Sequence, residues 1–313
     1  MHQNEIRQPM RLSILLIFSI LFSCSGNKNS ECDYITDYYQ IIYKADYEFD
    51  TGNYQKAFHL YQTAFNSCEP ITTLGYNEIA KFAETTAILK KYDLTFEFVR
   101  KSILEGSELS RFQNNTNFEG FITSKYGKQL AQEYDALRSQ FMEKIDLKLR
   151  EELILMRYAD QGVRNKGSEA DWKKVDSIDK LHELRLIELF ENQGFPNDDM
   201  VGPPSLDGRQ IDIGPLLLHT ADSIRLNYFV PKVREFVRKG KASPHYIGIM
   251  IDQYYLYNKE PQIYGTYTIQ GGGYANMIED LKKVDSNRIS IGLAPLDLHR
   301  KKDSLNKIKY GFH

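Results

Sequence analysis

The run GPLLLHTADS, Gly214 to Ser223, sets His219 and Asp222 three residues apart. On a helix that spacing places both on one face, where the carboxylate can hold the imidazole in a single tautomer. A general base needs that arrangement, and so does a structural histidine whose ring nitrogens must be satisfied. Further along, His245 and Asp252 stand two helical turns apart, and so do Arg157 and Arg164, with Asp160 between them. If these faces converge, their imidazoles, carboxylates and guanidiniums can activate water beside a bound anion, or hold a metal through nitrogen and oxygen at His219 and Asp252. The spacing itself asks for no metal and no cofactor. There is no H-E-x-x-H, no G-x-S-x-G elbow, and the GGG of residues 271–273 lacks the lysine and serine of a phosphate-binding loop. Tyr254, Tyr255 and Tyr257, with Tyr264 and Tyr267, offer either an aromatic shelf for a glycan or peptide or ordinary packing with hydroxyls at the surface.

The elements that must carry these residues read as helices. Leu137, Phe141, Ile145, Leu149 and Leu153 recur four apart, which predicts one long amphipathic helix over 134–164. A second covers about 172–193, with Val175, Ile178, Leu181, Leu184, Leu189 and Phe190 on its apolar side. Gly194 and Pro196 then stand where a left-handed cap and a helix stop belong. Gly214 and Pro215 can open a helix, another spans about 231–239 with Gly240 as its stop, and Ser243 with Pro244 can start the next. QIYGTYTI alternates like a strand and the triple glycine turns it, so a small β-hairpin is expected. The fold class is mainly α, with residues 134–313 as one helical domain.

Ahead of that domain, Ala57, Leu60, Tyr61 and Ala64 mark one helix face, and Gly52 and Asn53 interrupt the pattern before it. Gly52, Tyr54, Ala57, Tyr61 and Ala64 resemble the spacing of a tetratricopeptide repeat, and a weaker copy follows from about Tyr76. Residues 32–105 are therefore expected to form tetratricopeptide-like hairpins that could receive envelope proteins. Too few copies are present for a free-standing stack, so they must lean on the rest of the chain. Residues 106–133 are polar at their start and read as linker and loop. Cys32 and Cys68 fall at the two ends of the first hairpin, which lie side by side, and a disulfide between them is expected.

The first residues concern destination. Arg7 and Arg11 precede the apolar run LSILLIFSILF, which has signal-peptide length and is too short for an ordinary membrane span. With Ser23 before Cys24 and Leu21 upstream, the segment resembles the lipobox of bacterial lipoproteins. That resemblance implies a signal peptide over 1–23, lipid on Cys24 and a tether over 24–31. The expectation is a cell-envelope protein, anchored to a membrane through Cys24 on the exported side. With 40 basic against 42 acidic residues the chain has no bulk positive field, so nucleic acid is not an expected partner.

An ordered series in the C-terminal half resembles an uncharacterised bacterial domain-of-unknown-function family. Its pieces are Asp160-Gln161 with Arg164, Gly194-Phe195-Pro196 with Val201-Gly202, and His219-Thr220-Ala221-Asp222. Asp252 follows, then Gln262 with Tyr264-Gly265-Thr266, and Arg288 with Gly292-Leu293 and Pro295-Leu296. The family pattern has arginine after the aspartate, where this chain has Gln253, and glutamine after the glycine-threonine pair, where it has Tyr267. The resemblance implies a shared fold and a shared site, but no activity.

These readings give a ligand- or partner-binding envelope module with Arg157, Asp160, Gln161, Gln262, Tyr264 and Thr266 as binding residues. Against it stands a hydrolase, with His219 as base, Asp222 as its orienter, Arg164 neutralising developing negative charge and Asp252 binding substrate or metal. A third reading is a purely structural envelope lipoprotein. Palmitate fed to cells is expected to label the wild-type chain and not Cys24→Ser; a Cys24→Ser chain that still takes the label contradicts attachment there.

Overall fold

A computed structural model describes residues 32–165, 171–209, 211–270 and 273–310. The expected signal peptide, Cys24 and the tether lie outside the described residues. No helix among those described is long and apolar enough to cross a membrane.

The chain is mainly α, as its periodicity requires. Helices α1 (Tyr34–Asp37), α2 (Tyr39–Asp50) and α3 (Tyr54–Ser67) come first, and α4 (Glu78–Ile88) pairs with α5 (Tyr92–Leu104). Asp33 caps α1 by accepting from the Ile35 amide. The turn between α2 and α3 passes through Gly52 at φ 81°. Cys32 and Cys68 lie at disulfide distance, with Cα atoms 5.6 Å apart.

Residues 106–133 are not a linker. They form α6 (Leu109–Gln113), a 3₁₀ turn over Thr116–Phe118, α7 (Glu119–Thr123) and the start of α8 (Lys125–Lys144). Phe112, Phe118 and Phe121 are buried in this polar stretch, and the Phe121 ring sits 6.1 Å from that of Tyr92 on α5. Aromatic burial, rather than an apolar period, orders the segment. The helix predicted over 134–164 is likewise two helices, α8 and α9 (Leu147–Arg164). Between them Ile145 is extended, and the Asp146 carboxylate accepts from the Lys148 and Leu149 amides as an N-cap.

Then follow α10 (Trp172–Asn192), α11 (Asp198–Val201), α12 (Gly214–Leu218), α13 (Asp222–Ile224), α14 (Val230–Arg238), α15 (His245–Tyr257), α16 (Leu281–Ser290) and α17 (Leu296–Tyr310). A π turn over Arg225–Phe229 joins α13 to α14 just ahead of Pro231, whose missing N–H and ring a regular α-turn would not accommodate.

The expected β-hairpin does not form. Around its turn the described residues contain only two isolated bridges, Gln262 with Met277 and Thr268 with Tyr274. Of the backbone N–H groups a ladder would need, those of Ile263, Tyr264, Thr266 and Tyr267 are taken by side chains, as described below.

One apolar core runs from Tyr34 to Ala294 and joins the N-terminal hairpins to the later helices. The Tyr39 hydroxyl donates to the Val237 carbonyl at 2.8 Å, the Tyr43 hydroxyl to that of Gly292 at 2.8 Å, and Gln40 Nε2 to that of Leu293 at 2.9 Å. Gly240 and Gly292 permit this approach. A Cβ at Gly240 would stand 2.7 Å from the Tyr34 ring and one at Gly292 2.8 Å from that of Tyr39, and both residues have positive φ. Lys302 of α17 reaches the buried Asp46 and Asp50 of α2, where Lys81 of α4 also binds. Two cations thus neutralise two carboxylates that burial would otherwise make costly.

Replacing Cys68 by serine is expected to lower the urea-unfolding free energy by about 3–4 kcal/mol, the loop-entropy cost for a loop of this length. An unchanged unfolding midpoint, before and after reductant, contradicts a bridged pair.

Candidate functional site

The pieces of the ordered series fall into two clusters with a cleft beside them. In the first, α9 sets Asp160 and Arg164 one turn apart. Arg164 Nη1 donates to Asp160 Oδ1 at 2.7 Å, and its Nη2 donates to both oxygens of Asp179 on α10, at 2.6 and 2.5 Å. Gln161 Nε2 donates to Asp160 Oδ2 at 2.6 Å. His219, the residue that ends α12, places Nδ1 2.8 Å from Asp160 Oδ1. Because a carboxylate accepts, the neutral imidazole carries its proton on Nδ1, and Nε2 holds the lone pair. That nitrogen makes no hydrogen bond among the described residues, so His219 can serve as a base or as an acceptor for a ligand.

Burial alone would raise the Asp160 pKa. Hydrogen bonds from His219 and Gln161, with the charge of His219 when it is protonated and that of Arg164, bring it below the ordinary aspartate value instead. His182, one turn beyond Asp179, shares this neighbourhood. Burial lowers its pKa against the pull of Asp160 and Asp179, and its Nδ1 is buried without a partner.

Asp160, Asp179 and His219 each offer one ligand atom within 4.8 Å of the others, and form the one such trio among the described residues. A metal there would have to displace Arg164, which already engages both carboxylates.

Asp222 does not orient His219. The helix breaks at Ala221, which is extended, so the two residues do not share a face. Asp222 instead binds Arg225, whose Nη1 donates to the Leu218 and Thr220 carbonyls at 2.7 and 3.0 Å and fixes the turn. The orienting carboxylate comes from Asp160, 59 residues earlier.

The second cluster is structural. Asp252 Oδ1 accepts from the Ile263 and Tyr264 amides at 2.8 and 3.0 Å, and Oδ2 accepts from the Thr266 amide and hydroxyl at 3.0 and 2.8 Å. With both oxygens filled, Asp252 is free neither to bind substrate nor to share a metal with His219, and it makes no pair with His245. Gln262 Nε2 donates to the Tyr267 carbonyl at 2.8 Å and also reaches Ala275, while Oε1 accepts from the Tyr267 amide at 3.0 Å. Arg288 Nη1 donates to the Tyr264 carbonyl at 2.7 Å. Asp252, Gln262 and Tyr264 therefore shape the loop in place of a strand pair. The five tyrosines make no common shelf, since Tyr264 is buried and Tyr257 exposed.

A cleft of about 590 Å³ is walled by α12, the segment before it, the start of α15 and this loop. Its polar groups include Asp212, Lys241, His245, Tyr246, Thr266 and Tyr267, and Leu218, next to His219, is part of its apolar side. Asp212 ties the cleft to α9. Arg157 lies 3.6 Å from its Oδ2, while the Tyr246 hydroxyl, at 3.3 Å, and the Gly214 amide, at 2.8 Å, donate to its Oδ1. Burial lowers the His245 pKa, so this side chain faces the cleft uncharged near neutral pH.

Of the residues named from sequence, Asp160, Gln161, Arg164 and His219 thus converge and Arg157 reaches the cleft only through Asp212, while Thr266 serves both loop and cleft. Asp179, His182, Asp212 and Tyr246 were not anticipated. Each stands in a stretch with no motif, and only the folded chain brings it to a site residue.

Asp160 is held below its ordinary pKa, so its contribution is present above about 3.8 and is lost as the pH falls through its lower folded value. Asp160→Asn is expected to cost about 1–3 kcal/mol at pH 7, and its difference from wild type should shrink in urea unfolding as the pH is taken below 3.8. A difference that does not vary with pH contradicts a charged Asp160. Comparison of the chain with protein-family profiles, with curated proteins and with solved structures finds no match.

Proposed function

We propose that the chain is an exported, lipid-anchored envelope protein that binds a small ligand in the 590 Å³ cleft. The observation that carries this reading is the lining of that cleft, a volume suited to a small molecule with a few convergent polar groups on an apolar wall. Asp212 and Lys241 offer charges of opposite sign, while Tyr246 and the uncharged His245 offer hydrogen bonds, which suits a polar or zwitterionic ligand with an apolar body. The hairpins contribute Thr72, Thr73 and Gly75 to the same wall. That contribution favours a small ligand over a protein partner docked on a separate repeat surface. Export rests on the N-terminal pattern, and kinship with the domain-of-unknown-function family rests on the ordered series.

One observation favours a second reading, a hydrolase. His219 is oriented by a buried carboxylate and has a lone pair to spare, with Asp160 rather than Asp222 as its partner. Arg164 is committed to Asp160 and Asp179, so it would hold the base in position rather than meet a substrate anion.

Native mass spectrometry of the chain purified from envelopes is expected to show a small molecule bound to wild type. Leu218→Trp, which fills the cleft, is expected to remove it while changing stability by no more than about 1–3 kcal/mol. An adduct that persists in folded Leu218→Trp contradicts the cleft as its site.

A further inference from the structure

A smaller chamber of about 240 Å³ adjoins the main cleft and shares Ser243, His245 and Thr266 with it. It is walled by α2, the loop ahead of α4, the start of α15, α16, the start of α17 and the loop that Asp252 and Gln262 shape. Its charges differ from those of the cleft. The cleft sets Asp198 and Asp212 against Lys241, whereas the chamber carries Arg288, His245 and His299 and, among the described residues, no carboxylate.

Arg288 is the anomaly. It is only 3% exposed, and no carboxylate pairs with it among the described residues. Its Nε donates to the Ala294 carbonyl and its Nη1 to that of Tyr264. Nη2 makes no hydrogen bond among the described residues, and it is not sealed from the chamber that Arg288 lines. Asp285, whose charge reaches Arg288, accepts from the Leu296 amide at 2.7 Å and makes no ion pair with the guanidinium. Burial lowers the Arg288 pKa, yet a guanidinium keeps its proton in a protein, so a full charge stands among neutral carbonyls. A buried cation without a counter-ion is costly. Around it stand further donors. Burial lowers His245 and His299, and the charge of Arg288 adds to the effect in both, so each offers an uncharged ring N–H near neutral pH. The Tyr76 and Tyr274 hydroxyls in the same wall make no hydrogen bond among the described residues.

The geometry points to this chamber as the seat of an oxyanion, a carboxylate or phosphate group, anchored by Arg288 Nη2 and surrounded by the imidazoles and tyrosine hydroxyls. A guanidinium recognises both groups through charge-assisted hydrogen bonds. Ligand pockets commonly start at about 300 Å³, so this volume holds a head group rather than a whole ligand. The shared wall then makes the chamber the anionic end of the cleft, with the body of the ligand along Leu218 and its charge at Arg288. That extension rests on the cleft reading above, whereas the oxyanion site itself does not.

Isothermal titration of the full chain in neutral detergent tests it. Acetate and inorganic phosphate are the bare oxyanions, hexanoate and hexyl phosphate carry the same groups on an apolar body, and hexylammonium is the comparison. Saturable binding of the carboxylate or the phosphate pair is expected, weakened about ten-fold or more by Arg288→Gln, with no binding of hexylammonium. Whichever pair binds identifies the head group. Absence of binding by every oxyanion, equal binding by folded Arg288→Gln, or hexylammonium binding as tight as that of the oxyanions would overturn the proposal. Should Arg288→Gln fail to fold, Thr268→Glu decides, because Thr268 is exposed, lines only this chamber of the two, and its replacement gives Arg288 a competing carboxylate. Lost oxyanion binding there supports the site, and unchanged binding overturns it. Leu218→Trp separates the extension from the site. It is expected to remove the affinity gained from the hexyl body and to leave that of the bare oxyanion. A hexyl gain that survives Leu218→Trp overturns the cleft as the place of the body, while binding that depends on Arg288 still supports the oxyanion site.

Discussion

The attachment of α2 to the far end of the chain is the constraint on which the structure depends. Its Tyr39 and Tyr43 donate to carbonyls some 200 to 250 residues away, and its Asp46 and Asp50 receive Lys302 of α17. Each carboxylate would be costly in a hairpin that stood alone, since burial without a cation raises its energy by several kcal/mol. The N-terminal hairpins are therefore not a detachable repeat module. They complete the fold, and the loop between α3 and α4 becomes part of the wall of the cleft.

The same logic orders the polar interior of the C-terminal half. Asp252 is filled by four donors and shapes the loop beside the cleft. Asp160 is filled by Arg164, Gln161 and His219 and locks α9 to the end of α12, with Arg164 extending the lock to α10. Both carboxylates are buried, yet only the Asp160 network presents a group with capacity left over, the Nε2 of His219. Glu78 is the contrasting case, a carboxyl buried to the same degree without a donor from any other residue.

Much of this was legible in the sequence. Periodicity gave the helices, the cysteine positions at the hairpin ends gave the bridgeable pair, and Arg164 with Asp160 followed from their spacing on one helix. The His219–Asp222 pairing failed because Ala221 is extended and the i,i+3 rule does not cross a helix break. Asp252 and His245 do share a helix, but loop amides out-compete a side chain for the aspartate. The strand pattern of QIYGTYTI failed because Gln262 and Asp252 take the amides that a ladder would use. Residues 106–133 were misread because three phenylalanines, not a periodic face, decide their burial. Of the partners that replaced those expectations, Arg225 stands only three residues from Asp222, while Asp179 and Asp212 are too far in sequence from Arg164 and Arg157 for local spacing to reveal them.

If α2 is shared by both halves, the hairpins cannot open without the rest. Native-state hydrogen exchange of the purified chain measures this directly, through the opening free energies of the slowest amides in α2 and in α15. The account predicts that the two agree to within about 1 kcal/mol, as expected for one cooperative unit. A set of α2 amides that opens several kcal/mol more easily than α15 would contradict it.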